Sequence, residues 1–383
     1  MINSTLLQKA TIAGKVSFLN SGIGIAPWAA TMPYVIERLN LTQSSYTMLL
    51  LAFGVGAVTG MPATGKLIRF FGVRPVLSLS FILLFLSMTA AASPCFDFIS
   101  MLFISYLWGA SLGISEVANN VHATYFEEIS RKDLLSKFHG YQTLGSIIIA
   151  VIYPALLYAG ICLFILSASI CIIGLMLMLY AHGKLLNTHG QKTDKNKNEN
   201  RNDLGIMILI SAGTACALMF LSEGLIYDWS SVYLHRKCSV PLELDSTGYM
   251  IFQISVALAR FSGAKLIGIF GKKKLLCSGS IISMIALFLC VHTTNPLIML
   301  ILFAFLGIGL ANIVPIVISE TARKCTKDKA KAIAVVGTIG YSGVLLGPAV
   351  LGFIAAYFSL EGIFLMTSVL MLLLFFILKN QLE

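Results

Sequence analysis

Charge is scarce in this sequence. Asp, Glu, Lys and Arg together make up 11% of its 383 residues while 57% are hydrophobic, against roughly 25% charged in soluble domains. No soluble core absorbs that much apolar surface. Long polar stretches are scarce too: the one extended polar run is 182–203, HGKLLNTHGQKTDKNKNENRND. That leaves no room for a separate catalytic domain. A phosphate-cradling G-x-x-x-x-G-K-[ST] loop is missing, which disfavours an ATP-driven pump. The Ser and His residues have no triad context, so no enzyme is expected. The eight cysteines show no C-x-x-C spacing and no nearby His pair. They read as small buried hydrophobes, with no metal and no cofactor implied.

What the chain has instead is a succession of apolar runs of the ~20 residues that cross a bilayer. They fall at 14–36, 46–65, 75–93, 99–124, 138–158, 161–181, 204–227, 246–264, 275–293, 297–318, 331–357 and 361–378. The predicted class is an all-α polytopic membrane protein with twelve transmembrane helices. Continuously apolar runs argue against a membrane β-barrel, whose strands alternate. The start carries Lys9 and Lys15 but no compact apolar run with a small-residue cleavage site, so the first span is expected to stay.

The net charge of +10 resolves when the basic residues are sorted by loop. With the N-terminus taken as cytoplasmic, 23 of the 27 Lys and Arg fall on that side, Arg38, Arg236 and Lys237 fall on the other, and Arg260 lies within the eighth span. This is the positive-inside pattern and places both termini in the cytoplasm. The charge then marks topology and a contact for anionic lipid, not a nucleic-acid partner.

The polar run divides the chain into a six-span bundle at 1–181, a linker at 182–203 and a second six-span bundle at 204–383. Lys66-Leu67-Ile68-Arg69-Phe70-Phe71-Gly72 matches Lys265-Leu266-Ile267-Gly268-Ile269-Phe270-Gly271 at an offset of 199. Leu112-Gly113-Ile114 likewise echoes Leu306-Gly307-Ile308. Two parallel repeats imply pseudo-two-fold symmetry along the membrane normal and a site between the halves.

Over nearly its full length the chain resembles the major facilitator superfamily. The loop after span 2 reads Gly65-Lys66-Leu67-Ile68-Arg69-Phe70-Phe71-Gly72-Val73-Arg74. Its glycines and final Arg match the family signature, while Arg69 stands where the signature has an acid. In the family that acid helps lock the cytoplasmic gate, so its role does not transfer to Arg69. Gly113-Ile114-Ser115-Glu116, Asn119-Asn120, His139-Gly140, Glu223-Gly224 and Leu346-Gly347-Pro348 resemble the fucose-permease-like branch of bacterial inner-membrane members. The resemblance implies a transporter that works by alternating access, with a small polar, sugar-like solute and protons as partners, in a monomer embedded in the bilayer.

Ionisable residues inside spans are costly and mark functional candidates. Glu116 lies midway along span 4 with Asn119 and Asn120 on the same face. It resembles the fourth-helix acid of the fucose:proton symporter and is the expected proton carrier, the other reading being a structural hydrogen-bonding acid. Where that symporter has a first-helix acid this chain has Asn20. Glu223, in the outer half of span 7, is a second proton-coupling candidate that could bind substrate or form an outer gate, the other reading being an interfacial acid near water, and Asp228 beyond it reads as solvated or capping.

On span 5, His139, Gln142, Ser146 and Tyr153 share a face, read as lining a cavity or as hydrogen-bonding between helices. His139 reads as a solvated surface residue. Span 1 gathers Asn20, Pro27, Trp28, Thr31 and Tyr34; Trp28 is either a stacking surface for a sugar ring or an interfacial anchor. Asn312 with Pro315 marks a broken helix in span 10. The expected substrate-binding set is Asn20, Trp28, Asn119, Asn120, Gln142, Gln253, Asn312 and Tyr341. The expected gating set is Gly65, Gly72, Arg74 and Arg260, Arg260 pairing at an inner gate or snorkelling to the interface. The Gly56-x-x-x-Gly60 and Gly109-x-x-x-Gly113 pairs predict close helix packing. A proton-coupled exporter, or a non-transporting receptor on the same fold, remain the alternatives.

Overall fold

The computed structural model describes residues 4–187, 205–240, 247–325 and 328–381. Fifteen helices occupy these residues, and no strand does. They follow the twelve apolar runs because three runs are each cut into two helices. The cut runs are α1 (Ser4–Ile25) with α2 (Pro27–Arg38), α9 (Thr247–Phe261) with α10 (Gly263–Phe270), and α12 (Pro296–Leu310) with α13 (Ile313–Lys324). The other runs are single helices: α3 (Gln43–Phe71), α4 (Val73–Ala92), α5 (Phe98–Ser130), α6 (Leu135–Tyr158), α7 (Leu163–His182), α8 (Ile206–Cys238), α11 (Lys272–His292), α14 (Lys329–Phe358) and α15 (Leu360–Gln381).

Among the described residues, nine helical stretches are long and apolar enough to cross a membrane, α12 and α13 counting together as one of them (Pro296–Lys324), and the α9–α10 pair, bent by 63°, makes a tenth. α5 and α8 are 33 residues each and run past the expected ends at 124 and 227 to Ser130 and Cys238. Hydropathy marks only the part inside hydrocarbon, whereas a helix with its backbone satisfied internally continues into the polar layer.

Two of the breaks follow from proline. A proline has no N–H and its ring displaces the carbonyl four residues earlier. Pro27 does this to Ile23 at the α1–α2 junction, and Pro315 to Ala311 at the α12–α13 junction. Side chains then satisfy carbonyls around each break. Trp108 Nε1 donates to Gly24 O (3.1 Å), Ser146 Oγ to Gly22 O (3.3 Å), and Arg260 Nε to Ala311 O (3.1 Å).

The glycine pairs of α3 and α5 set a close crossing. A Cβ on Gly109 would lie 1.9 Å from Phe53 O, and one on Gly56 would lie 2.1 Å from Tyr106 O. The repeated loop glycines have a second cause: Gly72 and Gly271 sit at φ 84° and 73°, where a side chain is strained. Each lets its chain turn between two helices without a spacer.

The described residues form two compact units. One comprises 1–132, 141–203 and 322–338, the other 133–140, 204–321 and 339–383. Of the expected 182–203 linker, 182–187 fall in the first unit and 188–203 lie outside the described residues. Arg74 grips residues just after α7, its Nη2 and Nε donating to Leu185 O at 2.6 and 3.2 Å. His122, 1% exposed, accepts from Leu186 N through Nε2 at 3.2 Å. Ion pairs place the 322–338 segment in the first unit: Arg69 Nη2 to Asp328 Oδ2 and Lys329 Nζ to Glu128 Oε2, both 2.5 Å. In the second unit Lys272 Nζ binds Asp133 Oδ1 (2.7 Å) and Glu320 Oε1 (2.8 Å).

Candidate functional site

In the first unit α1, α5 and α6 bring a set of polar side chains together within the apolar spans. Glu116 is 4% exposed. Gln142 on α6 donates its Nε2–H to Glu116 Oε1. One turn further along α5, Asn119 uses both ends of its amide on α1: Ser17 Oγ donates to its Oδ1 (2.6 Å) and its Nδ2 donates to Ser21 Oγ (2.9 Å). Asn120 is buried beside it. The helix periodicity that placed Glu116, Asn119 and Asn120 on one face thus holds, and α1 answers with Ser17 and Ser21 at i and i+4. Neither serine stood out in the sequence; the signal was their helical spacing around Asn20.

Asn20 itself turns another way. It is fully buried and donates Nδ2–H to Gly174 O on α7 at 3.1 Å, while its Oδ1 has no hydrogen-bond partner. α1 and α6 can approach this closely because of glycines. A Cβ on Gly22 would lie 2.0 Å from Gln142 O and one on Gly145 would lie 2.3 Å from Leu19 O.

The α6 stripe divides in use. Gln142 serves Glu116, whereas Ser146 and Tyr153 bond between helices. The Tyr153 hydroxyl, fully buried, lies 2.6 Å from Ser167 Oγ and 3.2 Å from Thr31 Oγ1, tying α2, α6 and α7. His139 corrects an expectation: it is 6% exposed and not a solvated surface residue. α6 continues past it into packed surroundings, which a lone His near a chain bend does not announce. Trp28 packs in an aromatic group, its ring centroid 4.4 Å from Phe53 and 5.0 Å from Trp108. Tyr34 is 44% exposed.

The second unit holds the remaining candidates at separate points. Glu223 is half-buried on α8. Gln253 on α9 donates to Tyr249 Oη at 2.7 Å, and Tyr249 meets Tyr227 of α8 edge-on at 5.1 Å. Tyr341 on α14 packs against Phe220 with centroids 5.0 Å apart. Asn312 donates to Ala259 O at 3.1 Å. Trp229 Nε1 and Ser230 Oγ are buried without a hydrogen-bond partner. The side chain of Asp228 lies outside the described residues.

The gating candidates take varied positions. Gly65 passes the start of α14, where a Cβ would be 3.5 Å from Lys331 N. Gly72 forms the turn, and Arg74 holds Leu185. Arg260 is 8% exposed and bound to Ala311 O, so it is buried among helices and does not snorkel. Arg69, in the place of the signature acid, is ion-paired with Asp328. Asp328 Oδ1 also caps α14 by accepting from Lys331 N at 3.0 Å.

Helices long and apolar enough to cross the bilayer define an integral membrane protein. The chain belongs to the major facilitator superfamily, whose sequence profile matches residues 16–267 and 207–380. It is 31% identical over 370 residues to an uncharacterised MFS-type transporter of Yersinia pestis, covering 94% of this chain and 93% of that one. It is 29% identical over 365 residues to the membrane protein MosC of Rhizobium meliloti, covering 91% and 84%.

Among solved structures, the outward conformation of the MFS transporter FucP superposes with a TM-score of 0.81 at 16% identity, over 97% of this chain and 98% of that one. The human organic anion transporter MFSD10 gives 0.79 at 14%, covering 97% and 99%. The proton:xylose symporter XylE gives 0.76 at 15%, covering 98% and 95%. These likenesses establish the fold, and the family establishes that the chain is a transporter and not an enzyme.

Proposed function

We propose that this protein is a secondary active transporter that moves a small polar, sugar-like solute by alternating access, coupled to proton symport through Glu116. The observation that carries the reading is the buried Glu116 carboxyl with the Gln142 amide donated to it. A carboxylate in a low-dielectric span is costly unless donors hold it. Gln142 lies on a different helix from Glu116, so a change in how α5 and α6 meet changes what the carboxyl is bonded to.

Asn119, Asn120 and Gln142 supply donors and acceptors suited to hydroxyls, and Asn20, Trp28, Gln253, Asn312 and Tyr341 complete the proposed solute set, with Glu223 as a second proton-linked acid. Gly65, Gly72, Arg74 and Arg260 are the proposed gate residues. Two fold neighbours are a fucose:proton symporter of E. coli and a proton:xylose symporter, which favours import of a sugar-like solute. The distribution of basic residues supports both termini in the cytoplasm of a bacterium and an inner-membrane location.

The test is uptake of labelled monosaccharides into proteoliposomes under an imposed inward proton gradient. Glu116→Gln removes pH-driven accumulation and retains solute exchange at equal pH. Accumulation that survives the substitution undiminished refutes the role of Glu116.

A further inference from the structure

The second unit contains two helix breaks, and they face one another. The α9–α10 break falls at Ser262, where the axis turns by 63°. The α12–α13 break falls at Ala311–Asn312. Each break reaches across to the other with a buried side-chain hydrogen bond. Arg260, in the last turn of α9, donates Nε–H to Ala311 O (3.1 Å), and Asn312 donates Nδ2–H to Ala259 O (3.1 Å). The first bond has a covalent cause: Ala311 is four residues before Pro315, so its carbonyl lacks the usual amide donor. The second returns the favour to a carbonyl at the α9 end, next to Arg260 itself. Between the breaks there is little free space. A Cβ on Gly263 would lie 2.6 Å from Ser136 Cβ and 2.7 Å from Asn312 Oδ1.

The half-helices beyond the breaks are also joined at their far ends. α10 ends at Phe270 with Gly271 as its cap, and Lys272, the first residue of α11, pairs with Glu320 of α13 at 2.8 Å and with Asp133 at 2.7 Å. The residues that flank α10 on both sides, Ala259 and Arg260 before it and Lys272 after it, are therefore tied to the α12–α13 break and to α13. A helix bends where its backbone ladder is interrupted. Two interruptions cross-linked by their own side chains cannot open separately without losing both buried bonds.

We propose that the two breaks form one coupled hinge, in which Arg260 and Asn312 are positioning residues that make α10 and α13 swing together. This places a moving element in the second unit whatever solute is carried, and it does not depend on proton coupling at Glu116.

The test is amide hydrogen exchange, read by mass spectrometry, of the full-length protein in detergent. Asn312→Ala is expected to raise exchange about tenfold, the order of one lost buried hydrogen bond, in both Gly263–Phe270 and Ile313–Lys324. Arg260→Lys, which keeps the charge and loses the Nε donor, raises the same two segments. Helix α4 in the other unit is the control and stays unchanged. A rise confined to α13 for Asn312→Ala and to α10 for Arg260→Lys shows two independent breaks and overturns the proposal. So does no rise, or a rise that extends equally to α4. If Asn312→Ala does not fold, Asn312→Asp keeps the size and loses the amide donor, and the same comparison applies.

Discussion

Reversing the charge at Arg69 is a direct probe of how the 322–338 segment is held. The Arg69–Asp328 pair is partly open to solvent, with side chains 50% and 29% exposed and oxygen and nitrogen 2.5 Å apart. An exposed pair of this kind contributes ~0.5 kcal/mol. Arg69→Asp removes that contribution and sets two carboxylates near each other, which adds about 1 kcal/mol of repulsion at ~4 Å in water. The sum is ~1.5 kcal/mol, or about tenfold in the population with the segment released.

Asp328→Arg costs more, because Asp328 also caps α14 through Lys331 N. Loss of a cap adds ~1 kcal/mol, bringing the total to ~2.5 kcal/mol, or roughly 60-fold. The double reversal restores the ion pair but not the cap, leaving ~1 kcal/mol, about fivefold. The native reporter is Cys325, a free thiol 2% exposed and three residues from Asp328. Its alkylation by maleimide, followed on the Cys325 peptide by mass spectrometry, reads the released population when opening is fast and rare. Added salt weakens the wild-type pair and narrows the part of each difference that comes from charge. The reasoning fails if Arg69→Asp leaves the labelling rate unchanged, or if the double reversal labels faster than Asp328→Arg alone.

Glycine substitutions separate packing from propensity. Gly109→Ala gains ~1 kcal/mol of helix propensity, but its Cβ would meet Phe53 O at 1.9 Å, an overpacking that costs ~1–3 kcal/mol; the melting temperature falls. Gly224→Ala, with nothing within 4 Å of the new methyl, keeps only the gain of ~1 kcal/mol and melts higher. Gly72→Ala forces a side chain to φ 84° and costs about 1–2 kcal/mol. A thermal melt in which Gly72→Ala matches wild type refutes that strain.

The number and order of the spans were legible because hydropathy alone reports which residues need hydrocarbon. Two of the three interrupted spans were legible too, since Pro27 and Pro315 lack the amide a continuous helix requires. The third was not. Ser262 and Gly263 contain no proline, and their bend is shaped by Asn312 and Ser136, which come from remote parts of the chain. Within the first unit, helical spacing set Glu116, Asn119 and Asn120 on one face, and Gln142 stood out on its own helix. That Gln142 turns to Glu116 while Asn20 turns to Gly174 depends on how deeply α1 and α6 interlock, a property of glycine contacts between helices. Arg69 was legible only as a departure, because the aspartate that answers it is 259 residues away.

That answer has a bearing on how the chain tolerates exchange of parts. Asp328 and Lys329 are adjacent, yet each reads a different helix end, Arg69 on α3 and Glu128 on α5. Together they act as a two-tooth key of fixed polarity. A chimera that imports a loop with the usual acid at position 69 would set it against Asp328. The last turn of α3 and the 328–331 segment must therefore be inherited, or grafted, as a matched pair.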